Sequence, residues 1–168
     1  MRILGAVLAG GQARRFGSDK ALALLDGKRL IDHVLDALRP QVAAIVVVGR
    51  DHPGEVSLPD WPGPGLGPLG GLAAALAYAR ARRFDAVLTS GCDLPDVPRD
   101  LAARLGTPPA VATGQPLVGL WPAALAARLD AHLAAGCDRS LRGWASAVAA
   151  REVDLGSFRN INHISDLR

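Results

Sequence analysis

Ile3-Leu4-Gly5-Ala6-Val7-Leu8-Ala9-Gly10-Gly11 opens the chain, and the reading of everything else follows from it. Ile3 to Leu8 contains no polar side chain, the pattern of a strand covered on both faces inside a parallel sheet. Gly10 and Gly11 end that strand and begin a loop that runs to Gly17. A glycine has no Cβ, so backbone N–H groups there can approach a ligand closely. The apolar run is too short for a signal peptide.

Working outward, Leu30 to Leu38 carries apolar residues at helical spacing (Leu30, Ile31, Val34, Leu35, Leu38) and stops before Pro40. Ala44 to Val48 is a second all-apolar run, closed by Gly49. Pro53 to Gly67 is dense in Pro and Gly and reads as loop. The Ala-rich stretch Leu69 to Arg83 reads as helix, ending in basic residues that suit the negative end of the helix dipole. Ala86-Val87-Leu88-Thr89 is a further buried strand, followed by Gly91-Cys92-Asp93. Then come a short helix (Arg99 to Leu105) and two strands (Ala110 to Thr113, Pro116 to Trp121). Two helices (Ala123 to Ala135, Ser140 to Ala149) and an edge strand (Arg151 to Leu155) complete the pattern.

No repeat, linker or composition break interrupts the chain, so residues 1–168 are expected to form a single domain. Strands alternating with helices predict an α/β fold, a doubly wound, mostly parallel sheet with helices on both faces. Ligands bind such sheets beyond the carboxyl ends of the strands. Three loops are expected there: Gly10 to Lys20, Gly63 to Gly71, and Gly91 to Pro95.

With 49% hydrophobic residues the chain has ample material for a core, and disorder is excluded. A net charge of +3 suits an anionic ligand, but no Lys/Arg tract or basic helix argues for nucleic acid. Of 19 basic residues only Lys20 and Lys28 are Lys, which makes a Lys more informative here than usual. Cys92 and Cys137 are far apart and form no metal-ligand pattern; free thiols fit a reducing cytoplasm. No stretch approaches the roughly 20 apolar residues of a transmembrane helix, so no membrane association is expected.

Four motifs carry chemistry. Leu8-Ala9-Gly10-Gly11-Gln12-Ala13-Arg14-Arg15-Phe16-Gly17-Ser18-Asp19-Lys20 combines a glycine turn with two cations, Arg15 and Lys20, which is what a polyphosphate needs. Its spacing fits neither a Walker loop nor the dinucleotide fingerprint. Gly67-Pro68-Leu69-Gly70-Gly71 precedes a helix, whose N-terminus offers free N–H groups and a partial positive charge; a purely structural loop is the alternative. Cys92-Asp93-Leu94-Pro95 follows a strand, and a carboxylate there can hold Mg²⁺ against phosphate oxygens or simply cap the turn. Asn160-Ile161-Asn162 could orient phosphates or metal-bound water, or form an Asx turn. Cys92 reads as a small core residue rather than a nucleophile, since no His has a claim to be its base.

At these residues the chain resembles the molybdenum cofactor guanylyltransferases, the proteins that join GMP to molybdopterin. That family opens L-A-G-G-x-x-x-R-M-G-x-D-K, and only Phe16 departs, replacing Met. The later segments look like the family's G-P-L-A-G (Gly70 for Ala), C-D-x-P and N-x-N-T-P-E-D-L, where His163-Ile164-Ser165-Asp166-Leu167 replaces the last five residues. The resemblance covers essentially the whole chain in order and implies a Rossmann-like nucleotidyltransferase fold. It implies that the backbone around Leu8, Ala9, Gly10 and Gly11 meets the guanine nucleotide, together with Asp60, Gly67, Pro68 and Leu69. It implies that Arg15 and Lys20 meet the phosphates, that Asp93 is the Mg²⁺ ligand, and that Asn160 and Asn162 serve the second substrate. Gln115 stands where the family often has His, and Gly49 near a frequent Asn.

The expected reaction is transfer of GMP from GTP to molybdopterin with release of pyrophosphate, with Mg²⁺ as cofactor. Transient contacts with other cofactor-biosynthesis proteins or molybdoenzymes are expected with it. The alternatives are a cytidylyl or sugar-phosphate transferase of the same fold, or a GTP-binding adaptor without catalysis. A dinucleotide-dependent oxidoreductase is disfavoured, because the acidic residue of that fingerprint is missing after the second strand.

Overall fold

A computed structural model describes residues 1–10, 20–136, 138–159 and 167. In chain order the elements begin with β1 (Ile3–Leu8), β2 (Leu24–Leu25), β3 (Lys28–Arg29), α1 (Leu30–Leu38), β4 (Ala44–Val48) and β5 (Val56–Leu58). They continue with α2 (Pro68–Ala81), β6 (Ala86–Gly91), α3 (Leu101–Leu105), β7 (Ala110–Ala112) and β8 (Gln115–Pro122). The last are α4 (Ala126–Ala134), α5 (Leu141–Ala147) and β9 (Arg151–Val153).

β1 is central because its sequence allows it to be covered on both faces. Side chains alternate along a strand. Leu4, Ala6 and Leu8 enter a core shared with α2, α4 and α5, while Val7 enters a second core with α1 and α3. Gly5 leaves room for Val42 and Ile45, since a Cβ on it would come within 3.2 Å of Val42. The sheet order is β5-β4-β1-β6-β8-β7-β9. β1 pairs in parallel with β4 and β6, and β4 with β5. β8 runs antiparallel to β6 and β7, while β7 and β9 are parallel. The doubly wound, mostly parallel sheet with helices on both faces is therefore present, and β8 is the strand that reverses.

α1 buries all five of its predicted apolar positions and ends where Pro40 enters a 3-10 turn, Arg39–Gln41. α2 is buried nearly all round, because one side lies on β1, β4 and β6 and another meets α4. Burying each such Leu or Val contributes about 1.5–3 kcal/mol, so these two layers hold the carboxyl ends of β1, β4 and β6 rigidly in place.

The structure corrects the reading in three places. Pro53 to Gly67 is not all loop: Val56–Leu58 adds a strand beside β4. The expected helix Ala123 to Ala135 begins as a 3-10 turn, Ala123–Leu125, before α4. A small hairpin, β2 with β3, precedes α1.

Candidate active site

The carboxyl ends of β1, β4 and β6 open on one cleft of about 670 Å³, within the range of ligand sites. One wall is glycine against glycine. Gly49 ends β4 with φ +92°, and a Cβ on it would lie 2.5 Å from the Gly10 Cα and 2.6 Å from the Gly10 nitrogen. The β1 loop is pinned there, with the Ala9 N–H donating to the Val48 carbonyl at 2.8 Å and the Gly49 N–H to the Leu58 carbonyl at 2.9 Å. β5, through Leu58, thus helps hold the end of β4.

Asp60 follows β5 and enters the same cleft. A Cβ on Gly10 would lie 3.9 Å from its Oδ1, and one on Gly71 3.8 Å. The Trp61 N–H donates to the Gly70 carbonyl at 3.1 Å, tying the Asp60 loop to the first turn of α2. Gly70 is tight: a Cβ there would be 3.1 Å from the Leu66 Cβ and 3.4 Å from the Asp60 Cβ. Burial pushes the Asp60 carboxyl up from its ordinary value. Gly67, at φ +62°, caps α2, and Pro68 takes the first helical position, where a missing N–H does no harm.

Lys20 and Asp93 complete the cleft. Lys20 Nζ donates to Asp93 Oδ2 at 3.0 Å, with both side chains about one-fifth exposed (22% and 20%). Asp93 turns back over Gly91, where a Cβ would come within 2.7 Å of Asp93 Oδ1 and 2.7 Å of Leu117 Cδ2. Cys92 is half-buried at the cleft wall and packs against the α1/α3 core. Burial and the Asp93 charge push its thiol up to about 11, so it is protonated at neutral pH and a poor nucleophile.

Asp93 fits a Mg²⁺ site of the kind that relies on substrate phosphates and water for most of its ligands. Its carboxylate faces the cleft, and the bare Cα of Gly91 leaves the cradle that Asp93 Oδ1 occupies. No group of three or more His, Cys, Asp or Glu side chains among the described residues could hold a metal without such help.

The MobA-like NTP transferase domain family matches residues 5–151. The chain belongs to that family. A molybdenum cofactor guanylyltransferase of Rhodobacter capsulatus is 40% identical, over 99% of this chain and 94% of its own. The one from Acidiphilium cryptum is 36% identical, over 96% and 90%. The crystal structure of molybdopterin-guanine dinucleotide biosynthesis protein A from Archaeoglobus fulgidus superposes with a TM-score of 0.73 at 25% identity, covering 98% of this chain and 94% of that one.

Of the residues singled out in the sequence, Leu8, Ala9, Gly10, Lys20, Asp60, Gly67, Pro68 and Asp93 all line this one cleft of the MobA-like domain. Leu69 does not; the whole residue is buried in the core. Gly11, Arg15, Asn160 and Asn162 lie outside the described residues. Gly49 and Leu117 are also wall residues, though no motif names them as part of the site. The signal for Gly49 was a glycine closing an all-apolar strand.

Proposed function

We propose that the protein transfers GMP from GTP to molybdopterin, releasing pyrophosphate, in the cytoplasm, with Mg²⁺ as cofactor. The observation that carries this reading is the convergence of the Lys20–Asp93 pair, the glycine wall and the first turn of α2 on one cleft. The base belongs beside Asp60, whose carboxylate can accept hydrogen bonds from the N1–H and 2-amino group of guanine. The triphosphate belongs between the N-terminal loop and Asp93.

The terminal phosphate oxygen of molybdopterin attacks the α-phosphorus of GTP, the bond from that phosphorus to the bridging oxygen breaks, and pyrophosphate departs. The attacking phosphate is already an anion, so no covalent enzyme intermediate is required. Negative charge grows on the departing oxygens, and the Lys20 ammonium would meet it, with Arg15 assisting. Asp93 would hold Mg²⁺, which neutralises phosphate charge when bound. The protein otherwise orients two substrates and keeps them in register. No helix among the described residues is long and apolar enough to cross a membrane.

The test is to mix purified protein with molybdopterin, Mg²⁺ and each nucleoside triphosphate in turn, and to identify the product by mass. Guanylylated molybdopterin with stoichiometric pyrophosphate is expected. GTP binding without either product would leave a nucleotide-binding adaptor instead.

A further inference from the structure

A second cavity of about 320 Å³ lies on the same edge of the sheet, beyond β8. β7 and β9 run parallel to β6, because β8 reverses between β6 and β7, so their carboxyl ends share the edge on which the main cleft opens. The strand order puts this cavity two to three strand spacings from the end of β6, roughly 10–14 Å at about 4.8 Å per spacing. Pro116 lines it and the next residue, Leu117, lines the main cleft, so β8 contributes to both spaces.

Its lining is about half polar and half apolar, with Val111, Pro116 and Ala145 among the walls and two opposite charges, Arg142 and Glu152, beside them. Glu152 pairs in register with Val111, whose side chain enters the α5 core; it therefore stands on the α5 face of the edge strand. Arg142 and Ser146, four residues apart on α5, face the same space. Among the described residues neither Arg142 nor Glu152 is engaged in an ion pair or a side-chain hydrogen bond.

We propose that this cavity holds the pterin ring of the acceptor and that Glu152 reads its 2-amino-4-oxo edge. A pterin presents an N3–H and a 2-amino donor side by side, and a carboxylate accepts both at once. The flat ring lies against the apolar part of the lining, and the Arg142 guanidinium meets the acceptor oxygen and nitrogen atoms of the heterocycle. The span of molybdopterin from ring edge to phosphate then bridges the two spaces, bringing its phosphate to the Lys20–Asp93 pair. Guanine carries the same donor edge, so Asp60 and Glu152 divide two chemically similar ligands between two pockets. The proposal rests on molybdopterin being the acceptor.

The experiment uses 6-hydroxymethylpterin, followed by its own fluorescence, with a non-hydrolysable GTP analogue at saturation to fill the guanine pocket. The intact protein should bind the pterin, and Glu152→Gln, which keeps size and loses charge, should weaken it about tenfold or more while GTP-analogue affinity stays level. With molybdopterin, the same variant should raise the acceptor KM by a similar factor and leave kcat at saturation within about twofold. No pterin binding by the intact protein, or binding by Glu152→Gln and Glu152→Ala equal to that of the intact protein, overturns the pocket assignment even if guanylyl transfer proceeds. Glu152-dependent pterin binding without guanylylated product upholds the pocket and sinks the proposed reaction.

Discussion

A Cβ on Gly49 would lie 2.5 Å from the Cα of Gly10, so the ends of β4 and β1 meet backbone to backbone with no room between them. Gly49 also has φ +92°, a conformation that L side chains rarely adopt. Gly49→Ala should therefore cost about 1–3 kcal/mol for backbone strain alone, and more if Gly10 cannot shift. Urea unfolding measures that cost. KM for GTP should rise as well, because any shift of Gly10 moves the wall of the cleft. An unchanged midpoint and unchanged KM would mean that the contact relaxes freely.

How much of this was legible beforehand depends on the range over which each feature is encoded. β1, β4, β6 and α1 are written in local periodicity, and their observed limits agree closely with the expected ones. β5 was hidden because three residues, Val56–Leu58, sit in a stretch crowded with Pro and Gly and gain strand character only from the β4 ladder. The reversal of β8 is a property of its neighbours and not of its own residues. Lys20 and Asp93 were each singled out from motifs, but their hydrogen bond spans 73 positions, and no local pattern states that they touch. The Gly10–Gly49 contact is invisible for the same reason.

The Lys20–Asp93 pair makes a prediction about rate. Lys20→Ala removes a preorganised cation from the place where charge accumulates, so kcat should fall by about 2–4 kcal/mol in transition-state terms, thirtyfold to a thousandfold. Folding stability should change by much less, since partly exposed ion pairs contribute about 0–1 kcal/mol. Asp93→Asn keeps the shape and loses the charge; activity should drop and half-saturation by Mg²⁺ should move to higher concentration. Magnesium titrations identical to those of the unsubstituted protein would leave Asp93 as a turn-capping residue.

Behind the cleft, Thr89 is buried and does two jobs with one hydroxyl. It accepts from Trp121 Nε1 at 3.1 Å and donates to the Leu117 carbonyl at 2.8 Å. Thr89→Val keeps the volume but leaves the fully buried indole N–H without that acceptor, at about 1–3 kcal/mol. Calorimetry or urea unfolding should register the loss. Leu117 lines the cleft, so the carbonyl released by this change belongs to a wall residue, and a modest rise in KM should accompany the lost stability.

Asp60 couples pH, stability and base choice. Burial raises its pKa above the ordinary carboxylate value, so ionising it opposes folding. The sign follows from linkage: the penalty is full above the raised folded-state pKa, shrinks as pH falls through it, and is gone below the unfolded value near 3.9. Asp60→Asn should accordingly be more stable than the unsubstituted protein at neutral pH, with the advantage disappearing in acid. Binding should run the other way. The ionised carboxylate accepts both guanine donors, whereas an amide oxygen pairs with one and its NH₂ opposes the other, so Asp60→Asn should lose GTP preference by about 1–3 kcal/mol per unpaired group. For the unsubstituted protein, KM for GTP should begin to rise with acidification at a higher pH than an ordinary Asp would give, and that inflection should vanish in Asp60→Asn. The deciding comparison is kcat/KM for GTP, CTP and ATP at equal subsaturating concentrations across pH. If Asp60→Asn discriminated among the three as well as the unsubstituted protein does, base reading would have to move to the backbone of Ala9 and Gly10, and Asp60 would remain a half-buried carboxylate that does not serve the substrate.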